Sequence, residues 1–336
     1  MAQAKRIAVV ITSRSSYPRI QTALDAMEAL PSLDVTTYVM QSASMPKYGA
    51  LGDEIPTKAV KVRVYPDPTL TPSWRVSEQL VYLDRKVKEY DAVLTVGDRY
   101  ETLASAIAAS YNNVPLCHIQ GGEVSGNLDN KVRHAITQMA DLHLVATEES
   151  AMRVKVALRN PMAPVFVTGC PSIDLCARIT SSSDLAVMGL YHPDTNVRGE
   201  VNEQALGVVR SLRNQVTRWY GPNIDPGNEE IVQAVGHWND SAEVFLGRLA
   251  GTSCLVGNSS SGIREASYFG TPVVNIGQRQ QGRERGANVV DVGYDVDEIK
   301  EAVEAQIEHG RYPSSNLYGD GQAGWRIAQI LAEWNP

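Results

Sequence analysis

Short apolar runs alternate with longer amphipathic segments along the whole chain. The runs are rich in Val, Ile and Leu and end at polar or glycine-containing turns, which is typical of buried strands in parallel sheets. We predict strands at residues 7–11, 35–40, 60–65, 91–96, 115–119, 142–146, 165–168, 185–191, 216–220, 254–256 and 273–275. We predict helices at residues 18–30, 74–90, 101–111, 130–140, 202–214 and 321–334. This alternation predicts an α/β fold built on parallel sheets.

Charged side chains follow three of the predicted strands. Arg14 comes after the first strand, Asp98 and Arg99 follow the strand at 91–96, and Glu123 follows the strand at 115–119. Ligands of open α/β sheets bind outside the carboxyl ends of the strands. We therefore expect these side chains to lie at a ligand-binding edge.

The chain divides near residue 169, where the sequence becomes polar and then begins a second series of strands and helices. We predict an N-terminal Rossmann-like domain at 1–168 and a C-terminal Rossmann-like domain at 169–320. The amphipathic helix within 321–336 is expected to pack back onto the first domain. Two such units with polar strand ends predict a GT-B fold, whose parallel sheets face each other across a cleft.

The stretch from Gly257 to Glu265 follows a short apolar run and precedes a helical segment that Gly270 closes. Ser259 and Ser260 allow the backbone to approach a ligand, and the free N–H groups of a helix N-terminus favour an anion such as phosphate. Glu265 can accept hydrogen bonds from a ribose diol. The alternative is that the serines only cap the helix.

The composition narrows the classes of partner. The 336 residues are 43% hydrophobic and 21% charged, with a net charge of −7, so we expect no nucleic acid and no acidic membrane as a partner. The apolar run at 7–11 is too short for a signal peptide or a membrane span, which favours a cytoplasmic protein. The four cysteines lack CxxC spacing and are predicted to be reduced and buried. We predict neither a metal site nor a cofactor.

Several motifs together resemble the hydrolysing UDP-N-acetylglucosamine 2-epimerases of the sialic and legionaminic acid pathways. The motifs are Gly97-Asp98-Arg99-Tyr100, Gly121-Gly122-Glu123-Val124-Ser125-Gly126, Arg133-His134-Ala135-Ile136-Thr137, Gly257 to Glu265, Gly277 to Glu284 and Tyr318 to Ala323. The resemblance implies a GT-B enzyme that binds UDP-N-acetylglucosamine and releases N-acetylmannosamine and UDP through a glycal intermediate. It also implies a homodimer or homotetramer.

The resemblance implies a role for individual residues. Asp98 and Asp129 match the catalytic acidic positions, and His192 matches a histidine that carries a proton or donates to the leaving phosphate. Arg133 and His134 are expected to orient the site rather than react. The residues expected to bind the substrate or UDP are Arg14, Arg99, Gln120, Asn223, Asp225, Ser259, Ser260, Glu265, Arg279 and Arg283. Asp98 and Asp129 could instead be helix caps, and His192 could be an ordinary loop histidine.

Two positions depart from the family pattern. Gln120 stands where many relatives have a glutamate, and an amide cannot act as a general base. We therefore assign the catalytic role to Glu123, and expect Gln120 to hydrogen-bond the sugar. Ser16 stands where the family often has an aspartate, which points to a modified substrate such as a 2,4-diacetamido-6-deoxy sugar nucleotide, or to another base.

Three other functions remain open on the sequence. A GT-B glycosyltransferase would use the same diphosphate site, but it would not need the acidic side chains that move a C2 proton. A non-hydrolysing 2-epimerase would return the epimerised UDP-sugar. A nucleotide-sugar sensor without turnover is compatible with Gln120 and Ser16.

Overall fold

The computed structural model describes residues 3–45, 50–52, 54–62, 71–180, 186–193, 201–222, 225, 227–236 and 240–336. Asn223, which we predicted to line the nucleotide pocket, lies outside the described residues. The chain forms two compact units. Unit 1 comprises Met1–Glu123, Asp129–Asp174 and Gly319–Pro336, and unit 2 comprises Val124–Leu128 and Leu175–Tyr318.

Each unit contains one parallel sheet. The described strands of unit 1 are β1 Lys5–Ile11, β2 Leu33–Val39, β3 Lys58–Lys61, β4 Ala92–Val96, β5 Leu116–Ile119, β6 Leu142–Val145 and β7 Val165–Val167. Those of unit 2 are β8 Val187–Leu190, β9 Arg218–Tyr220, β10 Cys254–Gly257, β11 Val273–Ile276 and β12 Val289–Val292. The strand orders are β3-β2-β1-β4-β5-β6-β7 and β12-β11-β10-β8-β9. The predicted α/β class with parallel sheets is confirmed.

Helices connect the strands in both units. The described helices of unit 1 are α1 Gln21–Glu28, α2 Pro72–Lys86, α3 Thr102–Tyr111, α4 Asp129–Met139 and α5 Glu148–Leu158. The next helix, α6 Pro171–Cys176, begins in unit 1 and ends in unit 2, which resumes at Leu175. The other described helices of unit 2 are α7 Val201–Ser211, α8 Asn228–Val235, α9 Ala242–Gly251, α10 Ser260–Ile263, α11 Glu265–Phe269 and α12 Val296–His309. The C-terminal helix, α13 Ala323–Glu333, belongs to unit 1. No described helix combines the length and the apolar character that crossing a bilayer requires.

The sheet of unit 1 has apolar side chains on both of its faces. On one face Ile7, Val9 and Ile11 pack in a cluster that includes Leu24 of α1 and Ile327 of α13. On the other face, alanines of α3 and Ile136 of α4 pack against the strands. A parallel strand buried on both faces has to be apolar throughout, which is why β1 reads as an uninterrupted hydrophobic run.

Two predicted helices differ from the structure. Pro18 does not begin a long helix, because residues 14–19 form a 3-10 helix that contains Pro18 and α1 begins at Gln21. The segment after Gly257 is divided into α10 and α11, with Arg264 at φ −97° and ψ −70° between them. Gly270 ends the second of these helices at φ +67°, as predicted.

The four cysteines are free and buried, as predicted. Burial raises the pKa of the Cys254 thiol to about 12, so this side chain is neutral at physiological pH. It contributes to the core of unit 2 as a small apolar group.

Candidate active site

The strand order of unit 1 reverses direction between β1 and β4. Connections leave these two strands toward opposite sides of the sheet, which opens a crevice at their carboxyl ends. Arg19 follows β1 and Asp98 follows β4, and the Arg19 Nη1 lies 3.8 Å from the Asp98 Oδ1. The predicted site residue Asp98 therefore lies at the topological switch point of this sheet.

Asp98 is 8% exposed and is held by a second arginine. Arg133 of α4, which is 1% exposed, donates a hydrogen bond from Nη2 to the Asp98 Oδ2. Asp98 is not the cap of the following helix, since α3 begins at Thr102 and its N-cap is Glu101. Two guanidinium groups around one buried carboxylate compensate its charge and fix its orientation.

Arg133 also links Asp98 to the loop after β5. Its Nη1 donates to the backbone oxygen of Glu123 at 3.0 Å and to the Asn130 Oδ1 at 2.9 Å. Glu123 is 4% exposed, whereas Asp129 is half-buried in the first turn of α4. Arg133 therefore contacts both Asp98 and the backbone that carries Glu123.

Gln120 has a left-handed backbone with φ +67° and is 2% exposed. Its Nε2 donates to the Cys170 Sγ at 2.8 Å, and that sulfur lies 3.0 Å from the Ser172 Oγ. The Gln120 Oε1 is buried and has no hydrogen-bond partner among the described residues. The oxygen is the acceptor of the amide group, so this atom of Gln120 is suited to receive a hydrogen bond from a ligand.

His118 of β5 supports the turn that presents Asp98. Its Nε2 lies 2.8 Å from the backbone oxygen of Gly97, which has φ +80°. Burial lowers the pKa of His118 to about 4, so the ring is neutral at physiological pH and Nε2 carries the proton that it donates to Gly97. His118 thereby restrains the residue that precedes Asp98.

The remaining predicted arginines of unit 1 have acidic partners of their own. The buried Arg99 lies beside Glu101, with its Nε 3.3 Å from the carboxylate. Arg14 pairs with Glu54 at 3.1 Å, and its side chain is 42% exposed. A phosphate that approached either arginine would compete with a carboxylate.

The sheet of unit 2 also has a switch point, between β8 and β10. His192 follows β8 and Asn258 follows β10, and both residues are buried. The backbone N–H of His192 donates to the Asn258 Oδ1 at 2.7 Å, and the Asn258 Nδ2 donates to the His192 oxygen at 2.9 Å. The Asn258 side-chain amide thus pairs with both backbone groups of His192, as a neighbouring strand would, and fixes the position of the His192 backbone.

Ser259 is the N-cap of α10. The Ser259 Oγ accepts from the backbone N–H of Ser261 at 3.3 Å and lies 3.0 Å from the Ser261 Oγ. Ser260 is the first residue of α10. Since α10 ends at Ile263, any dipole effect at its N-terminus comes from a helix of only one turn.

Glu265 is 8% exposed, and its Oε2 is buried without a hydrogen-bond partner among the described residues. A buried carboxylate oxygen that lacks a donor is destabilising, because the group has lost its hydration. Such an oxygen is suited to accept hydrogen bonds from hydroxyl groups of a ligand. This is the chemistry that a ribose diol would supply.

Arg279 and Arg283 lie in the loop after β11, and both are buried. The Arg279 Nη1 and the Gln280 Nε2 both donate to the backbone oxygen of Asn258, at 3.3 and 2.8 Å. Asp225, also buried, lies before α8. The neighbouring Arg285 forms two hydrogen bonds with the exposed Asp291 and donates a third to the backbone oxygen of Arg283.

Sequence reasoning missed several residues of these arrangements, among them Arg19, Asn258 and Gln280. Arg19 was not considered because Pro18 suggested that a helix begins there, which placed Arg19 in the helix rather than in the loop after the first strand. Gln280 was not considered because it is uncharged. Asn258 lay inside a recognised motif, but nothing in the sequence indicated that its amide would hold the backbone of His192. Asn258 could have been found from the rule that a polar residue at the end of a buried strand needs a partner.

The chain matches a family model described as UDP-N-acetylglucosamine 2-epimerase over residues 82–332. A UDP-N,N'-diacetylbacillosamine 2-epimerase (hydrolyzing) from Legionella pneumophila is 34% identical over 266 residues, which cover 72% of this chain and 70% of the relative. A UDP-N-acetylglucosamine 2-epimerase from Neisseria meningitidis is 27% identical over an alignment of 374 residues, which covers 98% of this chain and 97% of the relative.

The fold of this chain is also similar to that of a solved structure. The crystal structure of UDP-GlcNAc 2-epimerase from Neisseria meningitidis bound to UDP-GlcNAc has a TM-score of 0.78 and 17% identity, and covers 98% of this chain and 100% of that chain. The GT-B fold that we predicted from the sequence is confirmed. The chain belongs to the UDP-N-acetylglucosamine 2-epimerase family, and its activity is that of a UDP-sugar 2-epimerase.

Proposed function

We propose that the protein is a hydrolysing 2-epimerase, which converts a UDP-activated 2-acetamido sugar and water into UDP and the free 2-epimeric sugar. The observation that supports it best is the acidic group of unit 1, where the buried Asp98 is held by Arg19 and Arg133 and the same Arg133 binds the backbone of Glu123. The Legionella pneumophila relative, named as hydrolyzing, supports the same reaction.

The proposed reaction has two steps, the elimination of UDP and the addition of water. In the first step a base removes the proton from sugar C2, the C1–O bond breaks, a C1=C2 double bond forms and UDP leaves. In the second step the water oxygen adds to C1 and gives one of its protons to a carboxylate, while C2 receives a proton on the opposite face. A sugar C2–H is a very weak acid, so stabilisation of the leaving diphosphate has to precede or accompany proton removal.

Residues of unit 2 bind the leaving group in this proposal. Arg279 and Arg283, which are buried, neutralise the diphosphate, and Ser259 and Ser260 donate hydrogen bonds to it. Glu265 accepts hydrogen bonds from the ribose hydroxyls through its buried Oε2. Asp225 contributes to the nucleotide pocket. His192, held by Asn258, donates to the phosphate that leaves.

The carboxylates of unit 1 transfer the protons at C2. We assign removal and return of the proton to Glu123 together with Asp98 and Asp129, because Gln120 at the neighbouring position has no basic atom. Burial of Glu123 and Asp98 removes water from these groups, which suits a general acid or base.

We infer that the sugar carries a substituent that differs from N-acetylglucosamine. Gln120 and Ser16 replace the acidic residues of the family pattern, so the groups that meet the sugar hydroxyls are neutral. The relative from Legionella pneumophila is named for UDP-N,N'-diacetylbacillosamine, a diacetamido sugar. Our proposal is that this chain prefers a 2,4-diacetamido-6-deoxy sugar nucleotide to UDP-N-acetylglucosamine.

Incubation in D₂O with each of the two UDP-sugars, followed by proton NMR, tests the proposal. We expect free 2-epimer with one deuterium at C2, and a higher kcat/KM for the diacetamido substrate. A product that retains UDP would identify a non-hydrolysing enzyme, and a hydrolysed sugar without deuterium would indicate simple transfer to water.

Glu123→Gln tests the assignment of the proton-transfer residue, and Glu89→Gln is its matched control. Glu89 is exposed and pairs only with the side chain of Lys86 on the surface among the contacts described for it. We expect the Glu123 variant to lose at least about 10²-fold in kcat, the range of general acid–base catalysis, with the control unchanged. Near-normal turnover of Glu123→Gln would remove this residue from the mechanism.

A further inference from the structure

The five residues Val124–Leu128 belong to unit 2, although the residues on either side of them, Glu123 and Asp129, belong to unit 1. We call Val124–Leu128 the strap. Both flanking residues are acidic groups to which the proposed function assigns proton transfer. Each end of the strap is therefore joined by a peptide bond to one of these two acidic residues.

The strap is bound to the loop that holds Arg279 and Arg283. The backbone N–H of Gly126 donates to the backbone oxygen of Arg279 at 3.1 Å. Within the strap, the Ser125 Oγ donates to the Asn127 Oδ1 at 2.8 Å, and both residues are less than 9% exposed. The strap thus has two buried residues joined by a hydrogen bond, whereas its last residue, Leu128, is 49% exposed.

Two glycines make this close approach feasible. A Cβ added at Gly126 would lie 1.9 Å from the backbone oxygen of Gln278, so no side chain fits there without moving the backbone. A Cβ at Gly282 would lie 2.7 Å from the Val124 Cγ1, and Gly282 also has φ +85°. Glycine is required at Gly126 by space alone, which points to a functional need for the contact.

We propose that Gly126 and Gly282 are positioning residues. We call the loop that holds Arg279 and Arg283 the arginine loop, and we infer that ordering of this loop restrains Glu123 and Asp129 through the strap. UDP bound at Arg279 and Arg283 orders the loop, the hydrogen bond from Gly126 orders the strap, and the strap restrains the backbone of the two carboxylates. The inference rests on the proposed function for the roles of those carboxylates, but the structural coupling does not depend on the identity of the sugar.

The cost of breaking the contact follows from its geometry. A Cβ at residue 126 has to move from 1.9 Å to at least 3.0 Å from the Gln278 oxygen, so the strap shifts by about 1 Å. A displacement of about 1 Å in a catalytic group can lower the rate about 10²-fold. UDP contacts through the arginines and Glu265 involve side chains outside the strap, so we expect UDP affinity to change far less than turnover.

Hydrogen–deuterium exchange of the full chain with and without UDP tests the coupling directly. We expect UDP to slow exchange in peptides that cover 277–283 and also in peptides that cover 124–128. Slower exchange in 277–283 with no change in 124–128 would overturn the inference. This result requires neither turnover nor a variant, so it stands apart from any failure of the proposed reaction.

Gly126→Ala supplies the kinetic test, with Gly207→Ala as the matched control. Gly207 lies in α7, where an added Cβ meets nothing within 4 Å. We expect Gly126→Ala to lower kcat about 10²-fold while the UDP Kd changes less than about threefold, and UDP no longer to protect 124–128. A kcat equal to that of Gly207→Ala, or equal losses in kcat and UDP affinity, would contradict a positioning role.

Discussion

The carboxylate of Asp98 accepts a hydrogen bond from the guanidinium of Arg133, and both side chains are buried. Asp98 follows β4 and Arg133 belongs to α4, so the contact joins two elements that are separated in the chain by α3, β5 and the loop after β5. Arg133 also holds the backbone of Glu123. One arginine therefore sets the orientation of one carboxylate and the backbone of another.

Arg133→Met is expected to inactivate and destabilise the enzyme together. The substitution leaves the buried Asp98 with Arg19 at 3.8 Å as its remaining described cation, and loss of one partner of a buried ion pair costs about 3–5 kcal/mol. Urea unfolding and kcat measure the two effects. Arg153→Met is the control, since Arg153 pairs with Glu149 on α5 at a partly exposed position worth less than about 1 kcal/mol. Equal stability of the two variants would contradict this role of Arg133.

Glu265→Gln is expected to weaken UDP binding without loss of stability. The buried Oε2 lacks a donor among the described residues of the free protein, so a neutral isostere removes an uncompensated charge and leaves the free energy of unfolding equal or higher. A hydrogen bond to a charged acceptor contributes about 1.5–3 kcal/mol, which corresponds to a Kd for UDP that is about 10 to 100 times higher. Calorimetry and urea unfolding give the two values.

The opposite pattern would count against a ligand-binding role for Glu265. If the variant unfolded more easily and bound UDP as the wild type does, the carboxylate would act in the core of unit 2. Gln306→Glu is not a useful control, because Gln306 donates to two backbone oxygens. Glu308→Gln on α12 is suitable, since that side chain is exposed.

Asn258→Asp separates the two hydrogen bonds that hold His192. The aspartate keeps the acceptor for the His192 N–H but loses the donor to the His192 oxygen, whereas Asn258→Ala loses both. At about 1 kcal/mol for each bond lost, we expect Asn258→Ala to lower kcat about 30-fold, and Asn258→Asp to lower it at least as far, because a buried carboxylate oxygen would then face the His192 oxygen. The contacts of Arg279 and Gln280 are made to the backbone oxygen of residue 258 and survive both changes.

Steady-state kinetics with UDP as a competitive ligand checks the Asn258 series. Because the arginine contacts are retained, the UDP inhibition constant should stay within about threefold while kcat falls. If both constants change together in the two variants, the role of Asn258 is to hold the nucleotide rather than the histidine.

The buried His118 is expected to make stability depend on pH. Burial lowers its pKa in the folded state to about 4, below the ordinary value of 6.5, so between these limits the unfolded chain binds a proton that the folded protein excludes. The contribution of neutral, buried His118 to the free energy of unfolding is therefore fully present above pH 6.5. It is lost as the pH falls from 6.5 toward 4. At about 1.4 kcal/mol per pH unit, the loss from pH 7 to pH 5 is about 2 kcal/mol.

His118→Gln tests this prediction, because the Nε2 of the introduced glutamine can still donate to the Gly97 oxygen, whereas the glutamine side chain does not titrate. The difference in the free energy of unfolding between pH 7 and pH 5 should shrink by about 2 kcal/mol in this variant. The remaining dependence is expected from His143, whose pKa burial also lowers to about 4.

Much of the fold could be predicted because strand and helix formation depends on local patterns. The strands β1, β4, β5, β10 and β11 were predicted within two residues at each end, since buried parallel strands are apolar throughout. β12 was not predicted, because Val289–Val292 contains Asp291 and has exposed or half-exposed residues at its start. The helix after Gly257 was predicted as continuous, and only the structure shows the break at Arg264.

The sequence by itself determined the α/β class, the family and the acidic and basic residues at the strand ends, because these follow from residue types at short spacings. Only the tertiary structure decided which of them meet. Arg19 and Asp98 lie on different strand connections, Gln120 donates to Cys170 fifty residues further on, and Gly126 bonds to the loop of Arg279. Such contacts depend on strand order and on how closely backbones approach, and these are properties of the packed chain rather than of any local pattern.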